Sequence, residues 1–275
     1  GLTLGARSSN IGTLIANEGD FLSLGSNTFG NVTLTGTSSA NFTQGDRITG
    51  VLDIDSEASA VFNYVESSLQ TITNAGSLTI GPNSLITVST SFTSTGDLLL
   101  KDTSTLTVNG QLAMSRATLH NSRLQANGKL TISGDVKVAD DNENSSIAAD
   151  SLEITTGGSL AMNTGLNTVN VAGNLLMSDG TADISGVLTV GGNTLLTSGS
   201  LNLTSTSSTI SSLGSIVAQG GRLNLIGSET HRIVNALSAT IGNGSTIALD
   251  NTELLLSSGN GTLTLNNGTL SFAND

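Results

Sequence analysis

The sequence contains no cysteine and no tryptophan, only one proline and one tyrosine, and few charged residues. Without cysteine, the chain can form neither a disulfide framework nor a thiolate metal site. Its longest apolar runs, such as Leu98–Leu100 and Leu254–Leu256, are far too short for a membrane-spanning helix. The nine Lys and Arg residues are scattered, and the formal net charge is −12. We therefore expect no nucleic-acid partner and no direct membrane insertion.

What the chain does contain is a recurring short phrase, a glycine followed by apolar residues at alternate positions. Such alternation is the period of a strand with one buried face. Its return throughout the chain indicates a β-solenoid, and the regular Leu, Ile and Val residues argue against disorder. The clearest copies are Gly76–Ile80, Gly128–Ile132, Gly199–Leu203, Gly221–Leu225 and Gly261–Leu265.

The apolar positions of the C-terminal half fall into three alternating sets, and an earlier series is slightly tighter. These regular spacings predict a right-handed parallel β-solenoid with three short strands per turn of about 20–24 residues. The sets are Leu201, Leu223, Ile247, Leu270; Leu188, Ile210, Ile233, Leu254; and Leu195, Ile216, Ala239, Leu263; the earlier series is Leu78, Leu98, Leu119.

Glycine and asparagine separate the strand phrases and are expected to supply the positive φ of tight corners. Asn-Gly also signals a two-residue hairpin, but the regular spacing of the apolar sets favours corners. Pro82 follows a strand phrase, where it removes no ladder donor. The corner segments are Asn109-Gly110, Asn127-Gly128, Gly191–Asn193 and Asn266–Gly268.

We expect a single elongated solenoid over residues 1–275, with regular coils in 76–275 and less regular sequence in 1–75. The segment 1–75 holds most of the aromatic side chains. One interpretation is a capping or docking segment, and the other is that phenylalanine fills wider turns of the same coil. These aromatic residues are Phe21, Phe29, Phe42, Phe62 and Tyr64.

One acidic insert interrupts the strand phrases at residues 140–144. Asp140, Asp141 and Glu143 carry oxygen ligands suited to a hard cation, so this loop is a speculative cation site. The favoured interpretation is a solvated loop. No other metal site, no cofactor and no cofactor-binding residue is predicted.

Parallel β-helices include polysaccharide-active enzymes, so carboxylate pairs were considered as acid and nucleophile. Each candidate is better explained as a polar group on the outer side of a strand or corner, and no catalytic residue is assigned. An enzyme is therefore not expected. The candidates are Asp53 with Asp55 beside Glu57, Asp179 with Asp183, and the two histidines, His120 and His231.

Threonine pairs of the form Thr-x-Thr also recur. Stacked on one flat face they would suggest ice binding, but their irregular spacing favours ordinary strand propensity. Sugar recognition by stacking on aromatic side chains is not favoured by the composition, since the chain has one tyrosine and no tryptophan. The pairs are Thr33/Thr35, Thr71/Thr73, Thr105/Thr107 and Thr262/Thr264.

Over about residues 76–275 the phrases Gly-Ser-Leu-Thr-Ile, Gly-Lys-Leu-Thr-Ile and Gly-Thr-Leu-Thr-Leu resemble bacterial surface β-helix proteins. The style of the repeats is similar to that of autotransporter passenger domains and of filamentous-haemagglutinin-like adhesins. It implies secretion to the cell surface and a role in adhesion or cell–cell aggregation.

We therefore expect a non-enzymatic extracellular structural or adhesive module that serves adhesion, aggregation, or filament or matrix assembly. Its partners would be other copies, end to end or side by side, or a host or matrix surface. The final phrase, Gly268–Phe272, keeps the alternation of apolar and polar residues, which favours pairing of this strand's edge with a strand of another copy. The alternative is a polysaccharide lyase or hydrolase, or a phage tailspike-like depolymerase; an ice-binding module is less favoured.

Overall fold

The computed structural model describes residues 1–5, 8–139, 144–205, 211–227, 232–257 and 261–273. Thirty-one strands and no helix lie in these ranges. Successive turns stack through parallel strand pairing, and the chain is an all-β solenoid, which confirms the predicted fold class. It divides into two compact units, residues 1–128 and 129–275.

Most strands are short, because the chain turns a corner after two or three inward side chains. The strands up to β14 are β1 (Leu2–Leu4), β2 (Asn10–Asn17), β3 (Asp20–Ser23), β4 (Thr28–Thr35), β5 (Ser39–Phe42), β6 (Arg47–Ile48), β7 (Val51–Ile54), β8 (Ser59–Phe62), β9 (Glu66–Asn74), β10 (Ser77–Ile80), β11 (Leu85–Leu100), β12 (Thr105–Val108), β13 (Gln111–Leu119) and β14 (Arg123–Val138).

The later strands follow the same pattern. They are β15 (Ser146–Ile154), β16 (Ser159–Met162), β17 (Thr168–Val171), β18 (Leu175–Met177), β19 (Thr181–Ile184), β20 (Val187–Val190), β21 (Asn193–Leu196), β22 (Ser200–Ser205), β23 (Ser211–Ser212), β24 (Ser215–Ala218), β25 (Arg222–Gly227), β26 (Arg232–Ala236), β27 (Ser238–Gly242), β28 (Thr246–Asp250), β29 (Thr252–Leu256), β30 (Thr262–Asn266) and β31 (Thr269–Phe272).

In the first unit each turn contributes a strand to each of three faces. The first face contains β1, β3, β5, β8, β10 and the ends of β11 and β13. The second contains the starts of β2 and β4, then β6, the starts of β9 and β11, β12 and the start of β14. The third contains the ends of β2 and β4, then β7, the end of β9, the middle of β11 and the start of β13.

The core of the first unit is built from columns of inward side chains, one per turn. On the first face Phe21, Ala40, Ala60, Leu78 and Leu98 pair successively from turn to turn, and all are buried. Burial of a large apolar side chain contributes about 1.5–3 kcal/mol, so stability accumulates turn by turn.

The phenylalanines of residues 1–75 belong to this core. Phe42 and Phe62 stack with ring centroids 5.2 Å apart, and each follows a small inward residue on its own strand, Ala40 or Ala60. Large and small side chains thus alternate to fill the interior.

The phenylalanines fill turns of the same coil, as one of the two interpretations has it, but these turns are not longer along the chain than the others. Phe21 pairs with Ala40, whereas Leu201 of the second unit pairs with Leu223, which is a longer separation along the chain. Strands in this segment pair in parallel like later strands of the unit. The aromatic side chains therefore fit the coil through their small neighbours and not through extra chain length.

The second unit repeats the three-strand turn. One face contains β16, β19, β22, β25, β28 and β31; the next contains the start of β15 and then β17, β20, β23, β26 and β29; the last contains the end of β15 and then β18, β21, β24, β27 and β30. The pairing confirms the first apolar set, Leu201, Leu223, Ile247 and Leu270.

The other two apolar sets contain positions displaced by one residue. Val234, rather than Ile233, pairs with Leu254. Thr194, rather than Leu195, pairs with Ile216. The inward position opposite Ile216 is polar, because the Thr194 hydroxyl donates a hydrogen bond of 2.7 Å to the Leu213 carbonyl.

A buried serine explains the remaining position of the second set. Ser211 pairs with Val234, and its hydroxyl accepts a hydrogen bond of 3.2 Å from the Leu188 amide. Ile210, which the sequence placed there, lies outside the described residues. In the first unit, Leu119 pairs with Leu100, whereas Leu98 pairs with Ala117, so the earlier series was also misassigned at its last position.

Several corner glycines have a role different from the expected one. Gly110 and Gly128 do not have positive φ. A Cβ added at Gly128 would lie only 2.5 Å from the carbonyl oxygen of Gly110, one turn earlier. Close approach of successive turns, rather than a left-handed backbone, therefore requires glycine here.

Polar side chains also point inward at corners and join successive turns. The fully buried Asp46 carboxylate accepts hydrogen bonds from the Ser23 hydroxyl at 2.7 Å and from the amides of Asn27 at 3.0 Å and Thr43 at 2.8 Å. The buried Ser84 hydroxyl accepts from the Val65 amide at 3.2 Å. Because an unpaired buried polar group is costly, these bonds fix the register of neighbouring turns.

Two adjacent leucines provide a matched test of the corrected register. Leu196 is fully buried, whereas Leu195 lies on the outer side of β21. Leu196→Ala is expected to lower the free energy of unfolding by about 2–5 kcal/mol. Leu195→Ala should lower it by less than about 1 kcal/mol. Urea denaturation followed by circular dichroism measures both, and a larger loss for Leu195→Ala would contradict the assigned register.

Candidate interaction surface

The third face of the first unit presents outward polar side chains in a continuous column. Thr33, Asp53, Thr73 and Thr93 pair successively from turn to turn. Asp53, Thr73 and Thr93 are exposed, and Thr33 is half-buried. Parallel neighbours in a sheet lie about 4.8 Å apart, so one polar group recurs at each of these four turns, between Ile15 and Ala113 at the flanking turns. The column is defined by these four residues and is called the polar column below.

The Thr-x-Thr pairs do not build a continuous threonine face. Thr71 and Thr73 pair with Ser91 and Thr93 on one side but with Val51 and Asp53 on the other. The remaining pairs each have at least one neighbour of another type: Thr33 pairs with Ile15, Thr105/Thr107 with Leu85/Thr87 and with Arg123/Gln125, and Thr262/Thr264 with Ser238/Thr240. This geometry gives ice binding no support.

A second surface follows the corner between the first and second faces of the first unit. In six successive turns one residue with positive φ occurs there at equal spacing along the chain, and Gly25 and Thr103, each next to a member of this series, also have positive φ. We call this row the left-handed corner. Its members are Gly25 (φ 100°), Ser26 (φ 63°), Gly45 (φ 86°), Tyr64 (φ 59°), Asn83 (φ 51°), Asp102 (φ 55°), Thr103 (φ 65°) and Asn121 (φ 42°).

Local sequence explains part of this geometry. Gly81–Ser84 closes as a turn with a 3.2 Å hydrogen bond from the Ser84 amide to the Gly81 carbonyl. Pro82 supplies the fixed φ at its second position, and Asn83 tolerates the positive φ at the third. Glycine, asparagine and aspartate adopt this conformation readily, but a bulky tyrosine and a β-branched threonine do so rarely. Tyr64 and Thr103 are therefore the strained members of the corner.

Hydrogen bonds lock successive corner residues together. The Tyr64 amide donates to the Pro82 carbonyl at 3.0 Å, and the Asn83 amide donates to the Asp102 carbonyl at 3.0 Å. The Thr103 hydroxyl lies 2.7 Å from Asn83 Oδ1 and 2.5 Å from the Asp102 carbonyl oxygen, and its single proton serves one of these two acceptors. Tyr64, the single tyrosine of the chain, is 53% exposed at this corner.

The carboxylates considered for catalysis lie on the outer side of the coil. Asp53, Asp55 and Glu57 are all exposed, the first in β7 and the others after it. Asp183 lies in β19 and accepts a hydrogen bond from Asn202 Nδ2 at 2.5 Å. Asp179 lies in the preceding corner with a φ of 69°.

The other predicted polar positions divide between described and undescribed residues. His120 is half-buried, and its backbone pairs with Leu100 and Asp102. Asp140, Asp141, Glu143 and His231 lie outside the described residues. Within the described ranges, no three His, Cys, Asp or Glu side chains are grouped so that they could hold a metal ion. In the same ranges, no helix is long and apolar enough to cross a membrane.

Sequence reasoning missed the left-handed corner, although a signal was present. Tyr64, Asn83, Asp102 and Asn121 are equally spaced along the chain, and two earlier corner residues continue the same series. Its members share neither an apolar side chain nor glycine, so hydrophobic periodicity and glycine spacing do not reveal it.

Comparisons with protein-family models, with curated proteins and with solved structures found no match to this chain.

The strain at Tyr64 predicts an unusual effect of substitution. An L-residue in the left-handed region loses about 1–2 kcal/mol, and asparagine bears this conformation better than tyrosine. Tyr64→Asn should therefore raise the free energy of unfolding by up to about 1 kcal/mol, because the exposed ring contributes little burial.

Thermal and urea unfolding of Tyr64→Asn measure this change, with Thr73→Asn as the matched control in a strand. The control should be neutral or slightly destabilising, since asparagine is a poor strand residue. A loss of more than about 1 kcal/mol for Tyr64→Asn would show that the ring, not the backbone conformation, determines stability at this corner.

Proposed function

We propose that the chain is a non-enzymatic extracellular structural or adhesive module that presents repeated polar groups for adhesion, aggregation or matrix assembly. The observation that carries the proposal is the polar column of Thr33, Asp53, Thr73 and Thr93, held in register over four successive turns. The bacterial surface β-helix proteins that the repeats resemble in style support the same role.

The physical basis is avidity. A single exposed hydroxyl or carboxylate forms only weak contacts in water, because it exchanges one hydrogen bond for another. Groups repeated at a fixed spacing can engage a repeating partner together, and many copies on a surface multiply the effect. A second copy, a host surface or an extracellular matrix would each offer such repetition.

The net negative charge of the chain determines which surfaces it can associate with. With a net charge of −12, long-range repulsion opposes association with strongly anionic surfaces. Neutral or hydroxyl-rich surfaces and short-range contacts between copies remain compatible with this charge. We place the module outside the cell, where homotypic aggregation or attachment to such a surface would occur.

The proposal is tested with beads that carry the covalently attached full chain. Beads should clump with one another or adhere to matrix-coated glass, while the free chain at the same concentration should bind too weakly to detect. Light scattering and counting of retained beads measure the two outcomes. Wild-type beads that neither clump nor adhere at high surface density would contradict an adhesive role.

A matched pair of variants links adhesion to the polar column. Thr73→Glu with Thr93→Glu places two more charges beside Asp53 and should reduce clumping or adhesion by about tenfold through repulsion. Thr73→Ser with Thr93→Ser keeps both hydroxyls and should leave adhesion unchanged. Circular dichroism confirms that each variant is folded. Equal adhesion of the two variants would show that the polar column is not part of the contact surface.

A further inference from the structure

We infer that the left-handed corner from Tyr64 to Thr103 is a binding site for a neutral saccharide chain. The inference goes beyond the proposed adhesive function, because it concerns different residues and a defined class of ligand. It stands on one juxtaposition: the single exposed tyrosine of the chain lies one turn from Asn83 and two turns from Asp102 and Thr103 on the same corner.

The conformation of Tyr64 is the first supporting observation. At a φ of 59° a tyrosine is disfavoured, and its ring is 53% exposed, so neither backbone preference nor burial explains the residue. Strain of this kind concentrates at binding and catalytic sites. An exposed aromatic ring offers a flat apolar face, and the C–H face of a sugar ring is the part of a saccharide that packs on it.

The polar neighbours supply the complementary part of the site. Sugar hydroxyls both donate and accept hydrogen bonds, so they match a carboxylate acceptor, Asp102, and a carboxamide donor, Asn83. The Thr103 hydroxyl lies within hydrogen-bond distance of both Asn83 Oδ1, at 2.7 Å, and the Asp102 carbonyl oxygen, at 2.5 Å, so Thr103 holds these two neighbours together before a ligand arrives. A polar group held in advance loses less conformational freedom on binding.

The shape of the corner favours a chain over a single sugar. Corner residues recur at each turn with a rise of about 4.8 Å, which is comparable to the length of one sugar unit in an extended polysaccharide. Tyr64, Asn83 and Asp102 are all exposed on this row. A saccharide running along the coil would therefore meet the aromatic face first and the polar groups at the following turns.

Charge selects a neutral ligand. Asp102 and Glu66 are exposed at or next to this part of the corner and Lys101 is half-buried, while two exposed arginines, Arg47 and Arg123, lie next to the corner at the turns that flank it. Together with the net charge of −12, these carboxylates oppose a uronic-acid or sulfated chain. An uncharged hexose chain meets no such repulsion.

The composition makes the test site-specific. Because the chain has one tyrosine and no tryptophan, its tyrosine fluorescence reports on the corner alone. The full chain is titrated with maltohexaose, cellohexaose and mannohexaose as neutral probes, and with hexagalacturonate as the acidic probe. We expect a saturable change in tyrosine emission with at least one neutral probe at millimolar concentration, and none with the acidic probe.

Variants identify the residues responsible, with binding measured by saturation-transfer nuclear magnetic resonance. Tyr64→Asn, which keeps the backbone conformation, should weaken binding by about tenfold or more. Tyr64→Phe should retain binding, and Asn83→Gly should weaken it without unfolding the corner. Thr189→Asn, at an exposed strand position of the second unit outside both proposed surfaces, is the matched control and should bind like the wild type.

Three results would overturn the inference: no response to any neutral probe, tighter binding of hexagalacturonate, or binding unchanged in Tyr64→Asn. None of these would by itself affect the proposed adhesive function. Suppose that no saccharide changes the tyrosine emission and that beads carrying Tyr64→Asn still clump or adhere. The saccharide inference would then be refuted, and the polar column would remain the proposed adhesive surface.

Discussion

The structure depends on the register of parallel pairing between successive turns. Each strand hydrogen-bonds to the strand one turn away, so an inward side chain must have an inward partner at every turn. Leu201, Leu223, Ile247 and Leu270 satisfy this condition in the second unit. A slip of one residue would move the entire apolar set to the outer side. The alternating sequence, the short strands and the corners all serve this one constraint.

The corners show how the constraint is met locally. A short turn leaves little chain for three changes of direction, so some backbone positions must be left-handed or tightly stacked. Glycine provides the close stacking at Gly128, and the Asp46 carboxylate ties three segments together from inside. Where the left-handed positions carry Tyr64 or Thr103 instead of a better tolerated residue, the backbone strain points to a use for the exposed side chain.

Sequence alone was sufficient for the fold class and for one complete apolar set, because both depend on alternation and spacing. It failed at Thr194 and Ser211, where a hydroxyl satisfied by a backbone partner replaces the expected apolar residue. Such exchanges are invisible to a search for apolar side chains. The corner at Tyr64 was missed for a related reason, since positive φ is a property of the backbone that unlike residues can share.

The most direct test of this account is the distance between adjacent turns on the third face. The chain has no native cysteine, so Thr73→Cys and Thr93→Cys can be spin-labelled without background. If the two residues pair as assigned, the doubly labelled protein should show strong dipolar broadening relative to each singly labelled one. Spectra that equal the sum of the two singly labelled spectra would contradict the register, and with it the polar column and the left-handed corner.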